Sequence, residues 1–91
     1  MERIKIERNV SKGKLDKLNV ISWPIWAKEN SEFPWHYDKQ EICFFIEGHA
    51  IVTPDNGEPV EMGEGDLVTF PAGLSCMWKI TKPVKKHYNF E

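Results

Sequence analysis

Two stretches of this 91-residue chain decide its fold: PWHYDKQEICFFIEG at residues 34–48 and GDLVTFPAGLSCMW at residues 65–78. In the first, Glu41 is followed by an unbroken apolar run to Ile46, which predicts a strand covered on both faces. Side chains alternate across a strand, so Glu41, Cys43 and Phe45 share one face. If Glu41 points into a barrel, Cys43 and Phe45 do so too.

The sequence pattern of the rest of the chain is typical of short strands separated by turns. Isoleucines alternate with charged residues over residues 3–8, which predicts a half-buried edge strand, and residues 11–18 could form one or two helical turns. The Asn-Gly pair within residues 54–58 favours a type I′ hairpin turn. Turns are also expected at residues 47–49, 63–66, 71–73 and 82–83, the last of them separating strands at 76–81 and 85–90. Seven or more short strands with no long helix predict an all-β sandwich or barrel.

Composition limits the size of the domain and its partners. Ninety-one residues make one domain. The net charge is −2 and the basic residues are scattered apart from those at residues 82–86, which argues against a nucleic-acid partner. No apolar run approaches the ~20 residues of a membrane span, and the amino-terminal residues lack a signal-peptide core, so we predict a cytoplasmic location without a membrane partner. Eleven aromatic residues in so short a chain, together with the apolar strand at 42–46, predict a homodimer.

The two stretches resemble the paired motifs of the cupins, and the resemblance implies a cupin-type double-stranded β-helix, or jelly-roll barrel, over residues 1–91. The positions that match the family pattern are His36, Glu41, Gly48, Gly65, Pro71 and Gly73. Cupins that bind iron, manganese, zinc or nickel hold the metal with three His and one Glu. In this sequence Pro34 stands where the first His belongs and Cys76 where the last one does.

Residues 23–90 are similar to a subgroup of small cupins that includes the ureidoglycine aminohydrolase domains and the ethanolamine-utilisation cupins. The aminohydrolases are longer two-cupin chains with a manganese site, so the resemblance does not carry their activity to this chain. No cofactor is expected. His36, Glu41 and Cys76 are the weak candidates for a divalent metal, since a thiolate can replace an imidazole as a ligand.

The barrel interior is the expected binding site for a small-molecule ligand. Glu41 needs a partner there, because an isolated buried charge is too costly, and His36, Tyr37 and His87 are the candidates. Aromatic walls would favour a small, partly planar, polar ligand. The predicted ligand-pocket residues are His36, Tyr37, Glu41, Cys43, Phe45, Cys76, Trp78 and His87.

Three hypotheses for function stay open on the sequence alone. The first is a binding module that holds a small polar metabolite without turnover. The second is a metal-dependent enzyme of the hydrolase or isomerase type, with His36, Glu41 and Cys76 as ligands of a metal that activates water. The third is a degenerate domain whose role is dimerisation.

Overall fold

A computed structural model describes residues 3–90 of the chain as strands with one short helix. The elements are β1 (Lys5–Glu7), α1 (Lys12–Leu18), a 3-10 turn (Val20–Ser22), β2 (Ile25–Lys28), β3 (Ser31–His36), β4 (Glu41–Pro54), β5 (Val60–Gly63), β6 (Leu67–Phe70) and β7 (Ser75–Phe90). All strand pairs are antiparallel. The predicted all-β architecture is confirmed, as are the edge strand near residues 3–8 and the short helix, which Ser11 caps.

The two long strands β4 and β7 build the barrel because each contributes to both of its sheets. The first half of β4 pairs with β6 and with the second half of β7, and β1 and β2 extend that sheet at its edges. The second half of β4 pairs with β5 and with the first half of β7, which also carries β3. The interior between the two sheets is therefore bounded mainly by β4 and β7.

Gly48 marks the point where β4 bends from one sheet into the other. Its φ is +100°, and a Cβ added there would lie 2.3 Å from the carbonyl oxygen of Pro83 on β7. The register shifts on both sides of Gly48, so the chain passes through a bulge and stays in one strand. The predictions of a tight turn at 47–49 and of a break at 82–83 were therefore wrong.

The turn at residues 54–58 also differs from its predicted type. The amide of Gly57 donates to the carbonyl of Pro54 at 3.0 Å, and Asn56 has a φ of +60° while Gly57 does not have a positive φ. A type I′ turn needs two adjacent residues with positive φ. The turn therefore centres on Asp55 and Asn56, one residue earlier than expected.

Alternation along β4 places its inner face as predicted. Glu41, Cys43 and Phe45 are buried, whereas Ile42, Phe44 and Ile46 on the opposite face are only half-buried. The core between the sheets contains a set of aromatic rings in mutual contact, with Trp78 of β7 at its centre. Within residues 3–90, no helix combines the length and the apolar character that crossing a membrane requires.

Candidate ligand cavity

A cavity of about 220 Å³ opens from the interior between the two sheets, and most of its wall is aromatic. Burial varies with depth: the deepest lining residues are almost fully buried, the next are half-buried, and Trp35 and Phe90 at the mouth are 50% and 47% exposed. Its lining consists of Trp26, Phe33, Trp35, Tyr37, Glu41, Trp78, Lys86, Tyr88 and Phe90.

An ion pair lies on the floor of this cavity. The Lys86 ammonium donates to Glu41 Oε2 at 2.8 Å, and each of the two side chains is only 5% exposed. The ammonium also lies 4.9 Å from the ring centroid of Trp78 and 5.1 Å from that of Trp26. Aromatic faces carry a negative quadrupole that attracts cations. The buried charge of each ion is thus compensated by its partner, and that of Lys86 also by three rings, the third being Phe70 at 5.7 Å.

Tyr37 and Trp78 join the floor to the aromatic core. The indole Nε1 of Trp78 donates to the Tyr37 hydroxyl at 3.2 Å, and the Tyr37 ring stacks on Phe70 with centroids 4.7 Å apart. Burial raises the pKa of Tyr37 above its ordinary value, and the negative charge of Glu41 adds to this effect. The phenol therefore keeps its proton and remains a hydrogen-bond donor.

Three of the predicted pocket residues, Tyr37, Glu41 and Trp78, line the cavity. Cys43 and Phe45 point to the interior but lie in the core behind the lining, where both are fully buried. Phe45 stacks against Trp78 at 6.3 Å between centroids, so it supports the wall without forming it.

His36 and His87 lie away from the cavity, contrary to expectation. Phe33 and Trp35 of β3 face the interior, so alternation turns His36 outward, where it hydrogen-bonds to Ser75 Oγ at 2.7 Å. On β7, Lys86 faces inward and His87 outward, and the His87 ring nitrogen contacts the carbonyl of Trp23 at 2.9 Å. The partner of Glu41 is consequently Lys86, which the sequence analysis had not considered.

The two cysteines are buried thiols without the environment of a nucleophile. Desolvation raises the pKa of Cys43 to about 12 and that of Cys76 to about 11. The Cys76 thiol donates to the carbonyl of Trp35 at 3.6 Å and does not line the cavity. Reactive cysteines have lowered pKa values, so neither thiol is suited to nucleophilic chemistry.

The residues that the cupin pattern assigns to a metal do not fit one here. His36 is bonded to Ser75 on the outer face, Glu41 to Lys86, and Cys76 to a backbone carbonyl. In the described part of the chain, no three His, Cys, Asp or Glu side chains are grouped so that they could hold a metal ion. A fixed ammonium instead stands beside the one carboxylate of the cavity. These three side chains are therefore not arranged to bind a metal together.

Sequence reasoning missed six of the lining residues, which come from β2, β3 and β7. They are Trp26, Phe33, Trp35, Lys86, Tyr88 and Phe90. Lys86 had been considered only as part of the basic cluster at residues 82–86. The usable signal was the alternation of Val84, Lys86, Tyr88 and Phe90, which places a cation in phase with inward apolar residues.

Comparisons with known proteins place this chain among the small cupins. The family model of the EutQ-like cupin domain matches residues 15–88. A protein of the DUF861 family from Thermotoga maritima is 49% identical, with a TM-score of 0.95 over 98% of this chain and 100% of that one. No curated protein matches.

More distant structures share the fold. EutQ from Clostridium difficile is 21% identical with a TM-score of 0.66, over 72% of this chain and 52% of that one. A DUF861 protein of unknown function from Pseudomonas syringae pv. tomato is 26% identical with a TM-score of 0.66, over 74% of this chain and 29% of that one. This chain thus spans about half of the EutQ structure and less of the Pseudomonas one. The chain belongs to the EutQ-like cupin domain family, and its fold is the all-β jelly-roll barrel of the cupins.

Proposed function

We propose that this cupin binds a small, flat, polar metabolite in its aromatic cavity and does so without a metal. The observation that carries the proposal is the cavity of about 220 Å³ whose wall is aromatic and whose floor holds the Lys86–Glu41 pair. Ligand sites are typically concave and mostly apolar, with a few polar groups that orient the ligand. The deep ion pair and the Tyr37 hydroxyl are those polar groups.

The metal-dependent hydrolase or isomerase remains the alternative, and the link to ureidoglycine aminohydrolases remains a prediction that goes with it. Geometry favours the binding module, because His36, Glu41 and Cys76 each have a different partner and do not converge. Elemental analysis of the purified protein decides between the two proposals. We expect less than half an equivalent of any transition metal. A stoichiometric metal that is lost in Cys76→Ser would support the enzyme.

The binding proposal is tested with a library of uncharged and charged single-ring compounds, followed by the indole N–H signals in ¹H–¹⁵N spectra. The chain has four tryptophans, and Trp26, Trp35 and Trp78 line the cavity whereas Trp23 does not. Compounds that bind in the cavity should shift the first three signals and leave that of Trp23 in place. Trp26→Leu should weaken binding, and the matched Trp23→Leu should not.

Two results would contradict the binding proposal. One is a library in which no compound shifts the signals of the cavity tryptophans. The other is a shift of the Trp23 signal as large as that of Trp78, which would indicate nonspecific association.

We also propose a homodimer that covers the outer face of the sheet around β4. Ile42 and Phe44 on that face are half-buried, and Ile25, which is 53% exposed, lies beside Phe44 across the intervening strand β7. Exposed apolar patches of this kind favour association. Light scattering should give twice the monomer mass of 10.6 kDa. Ile25→Glu should shift the mass towards the monomer, whereas Ile21→Glu at an 86% exposed position should not.

A further inference from the structure

The charged groups of the cavity cancel each other. Lys86 and Glu41 are the two charged side chains among the lining residues, and their charged atoms lie 2.8 Å apart. Three aromatic rings, those of Trp26, Phe70 and Trp78, also lie within 5.7 Å of the ammonium. A charged ligand would bring into this space an ion for which the lining residues offer no separate counter-ion. Burying an unpaired charge is unfavourable, so the floor selects against both anions and cations.

One hydrogen-bond donor on the floor lacks an acceptor. The Tyr37 hydroxyl accepts a hydrogen bond from Trp78 Nε1, and among residues 3–90 no hydrogen bond donated by that hydroxyl is found. Tyr37 is 2% exposed and lines the cavity. Its raised pKa keeps the proton in place. The hydroxyl oxygen is already bonded to Trp78, and its proton remains available to a ligand acceptor, which would add one hydrogen bond on the floor.

The volume of the cavity limits the size of the ligand. An apolar cavity of roughly 150 Å³ takes up a benzene ring. Sites for drug-sized molecules begin at roughly 300 Å³. At about 220 Å³, this cavity has room for one ring and a small substituent.

We propose that the cavity selects an uncharged, single-ring ligand with a carbonyl oxygen or another acceptor, to which the Tyr37 hydroxyl donates. This inference rests on the proposed binding function, since it names the class of ligand for the same cavity. The Lys86–Glu41 pair acts by excluding ions and stays intact when the ligand enters. Specificity therefore comes from two features of the floor. The Tyr37 hydroxyl has a proton to donate, and the paired charges of Lys86 and Glu41 leave no net charge for an ionic ligand.

The test compares three probes that share a ring and differ in charge: benzamide, benzoate and benzylamine. Each is titrated into the wild-type protein at neutral pH, and binding is followed by the indole signals of Trp26 and Trp78. Benzamide should bind at least about ten-fold more tightly than either ion, the factor that corresponds to one unit of log Kd. Toluene, which has no acceptor, is the fourth probe and measures binding by the ring alone.

Tyr37→Phe separates the hydroxyl from the ring. The substitution keeps the ring that stacks on Phe70 and removes the donor. Benzamide affinity should fall by roughly 2- to 12-fold, the range for one neutral hydrogen bond, while toluene affinity should stay unchanged. Near-ultraviolet circular dichroism checks that the aromatic core is intact.

The possible outcomes distinguish the ligand class from the proposed function. If benzoate or benzylamine binds most tightly, the neutral-ligand inference is overturned while the cavity remains a binding site. Equal losses for benzamide and toluene in Tyr37→Phe would overturn the donor role of the hydroxyl. If the four probes and the compound library all fail to bind, both the inference and the proposed function are wrong.

Discussion

Replacing Lys86 by Met should destabilise the fold more than any substitution of a surface lysine. Methionine has a similar volume, but it leaves the Glu41 carboxylate without its ammonium partner at 5% exposure. Removing one member of a buried ion pair costs about 3–5 kcal/mol in unfolding free energy. A domain of this size loses about 4–8 °C in Tm for each kcal/mol. We therefore expect the Tm to fall by at least about 12 °C.

Two further variants show whether the loss comes from the unpaired charge. Lys85→Met is the matched control, because Lys85 is the preceding residue and its 3.8 Å contact with Glu47 is solvent-exposed. It should cost no more than ~1 kcal/mol. The double variant Glu41→Leu with Lys86→Met removes both charges and should regain most of the lost stability, since apolar replacements of buried pairs are often neutral.

The assay is urea unfolding followed by tryptophan fluorescence, with thermal unfolding by circular dichroism as a second measure. Linear extrapolation gives the unfolding free energy of the wild type and the three variants. A loss of stability in Lys86→Met no larger than that in Lys85→Met would refute a stabilising role of the buried ion pair. A double variant less stable than Lys86→Met would refute that role equally, because the stability contributed by Glu41 would then not depend on Lys86.

Two other predictions concern buried thiols and the bend in β4. The pKa is raised to about 12 for Cys43 and to about 11 for Cys76, so both thiols favour the folded state fully below pH 9 and lose that effect as the pH rises through these values. The unfolding free energy should therefore fall from pH 9 upward, and less steeply in Cys43→Ala. A pH-independent unfolding free energy from pH 8 to 11 would contradict this. Gly48→Ala should lower the unfolding free energy by at least ~1–3 kcal/mol, because the positive φ of Gly48 and the Pro83 carbonyl leave no room for a Cβ. The control Gly13→Ala, at a site with open space around it, should raise the unfolding free energy by about 0.5–1 kcal/mol. Similar denaturation midpoints for the two variants would show that the bend is unstrained.

The inner face of β4 could be predicted because it follows from local geometry. Alternation alone placed Glu41, Cys43 and Phe45 on one buried face, whatever the neighbouring strands were. Sequence motifs also gave the cupin family, which the family model confirmed. These predictions needed no knowledge of which strands meet.

The partner of Glu41 could not be predicted in this way, because it depends on the pairing of strands far apart in sequence. Lys86 reaches Glu41 only through the register of β4 with β7, 45 residues away along the chain. In sequence Lys86 follows two other basic positions and resembles a surface residue. A lysine is rarely buried unless its charge is paired, so the residue type alone favoured a surface position for Lys86.

His36 shows the limit of a positional motif. It matches the family pattern in sequence, yet the phase of β3 turns it outward, because Phe33 and Trp35 occupy the inner face. The motif identified the strand and the fold without fixing which side chains face the cavity. Tyr37, one residue later, is the side chain that reaches the floor.

The most direct test of the account is a set of intermolecular nuclear Overhauser effects between benzamide and isotope-labelled protein. The ring protons of benzamide should show contacts to Trp26, Phe33 and Trp78, and the Lys86 side chain should keep its buried resonances in the complex. Contacts confined to exposed side chains such as Ile21 or Met77, or the absence of any contact at saturating benzamide, would contradict a ligand site in the aromatic cavity.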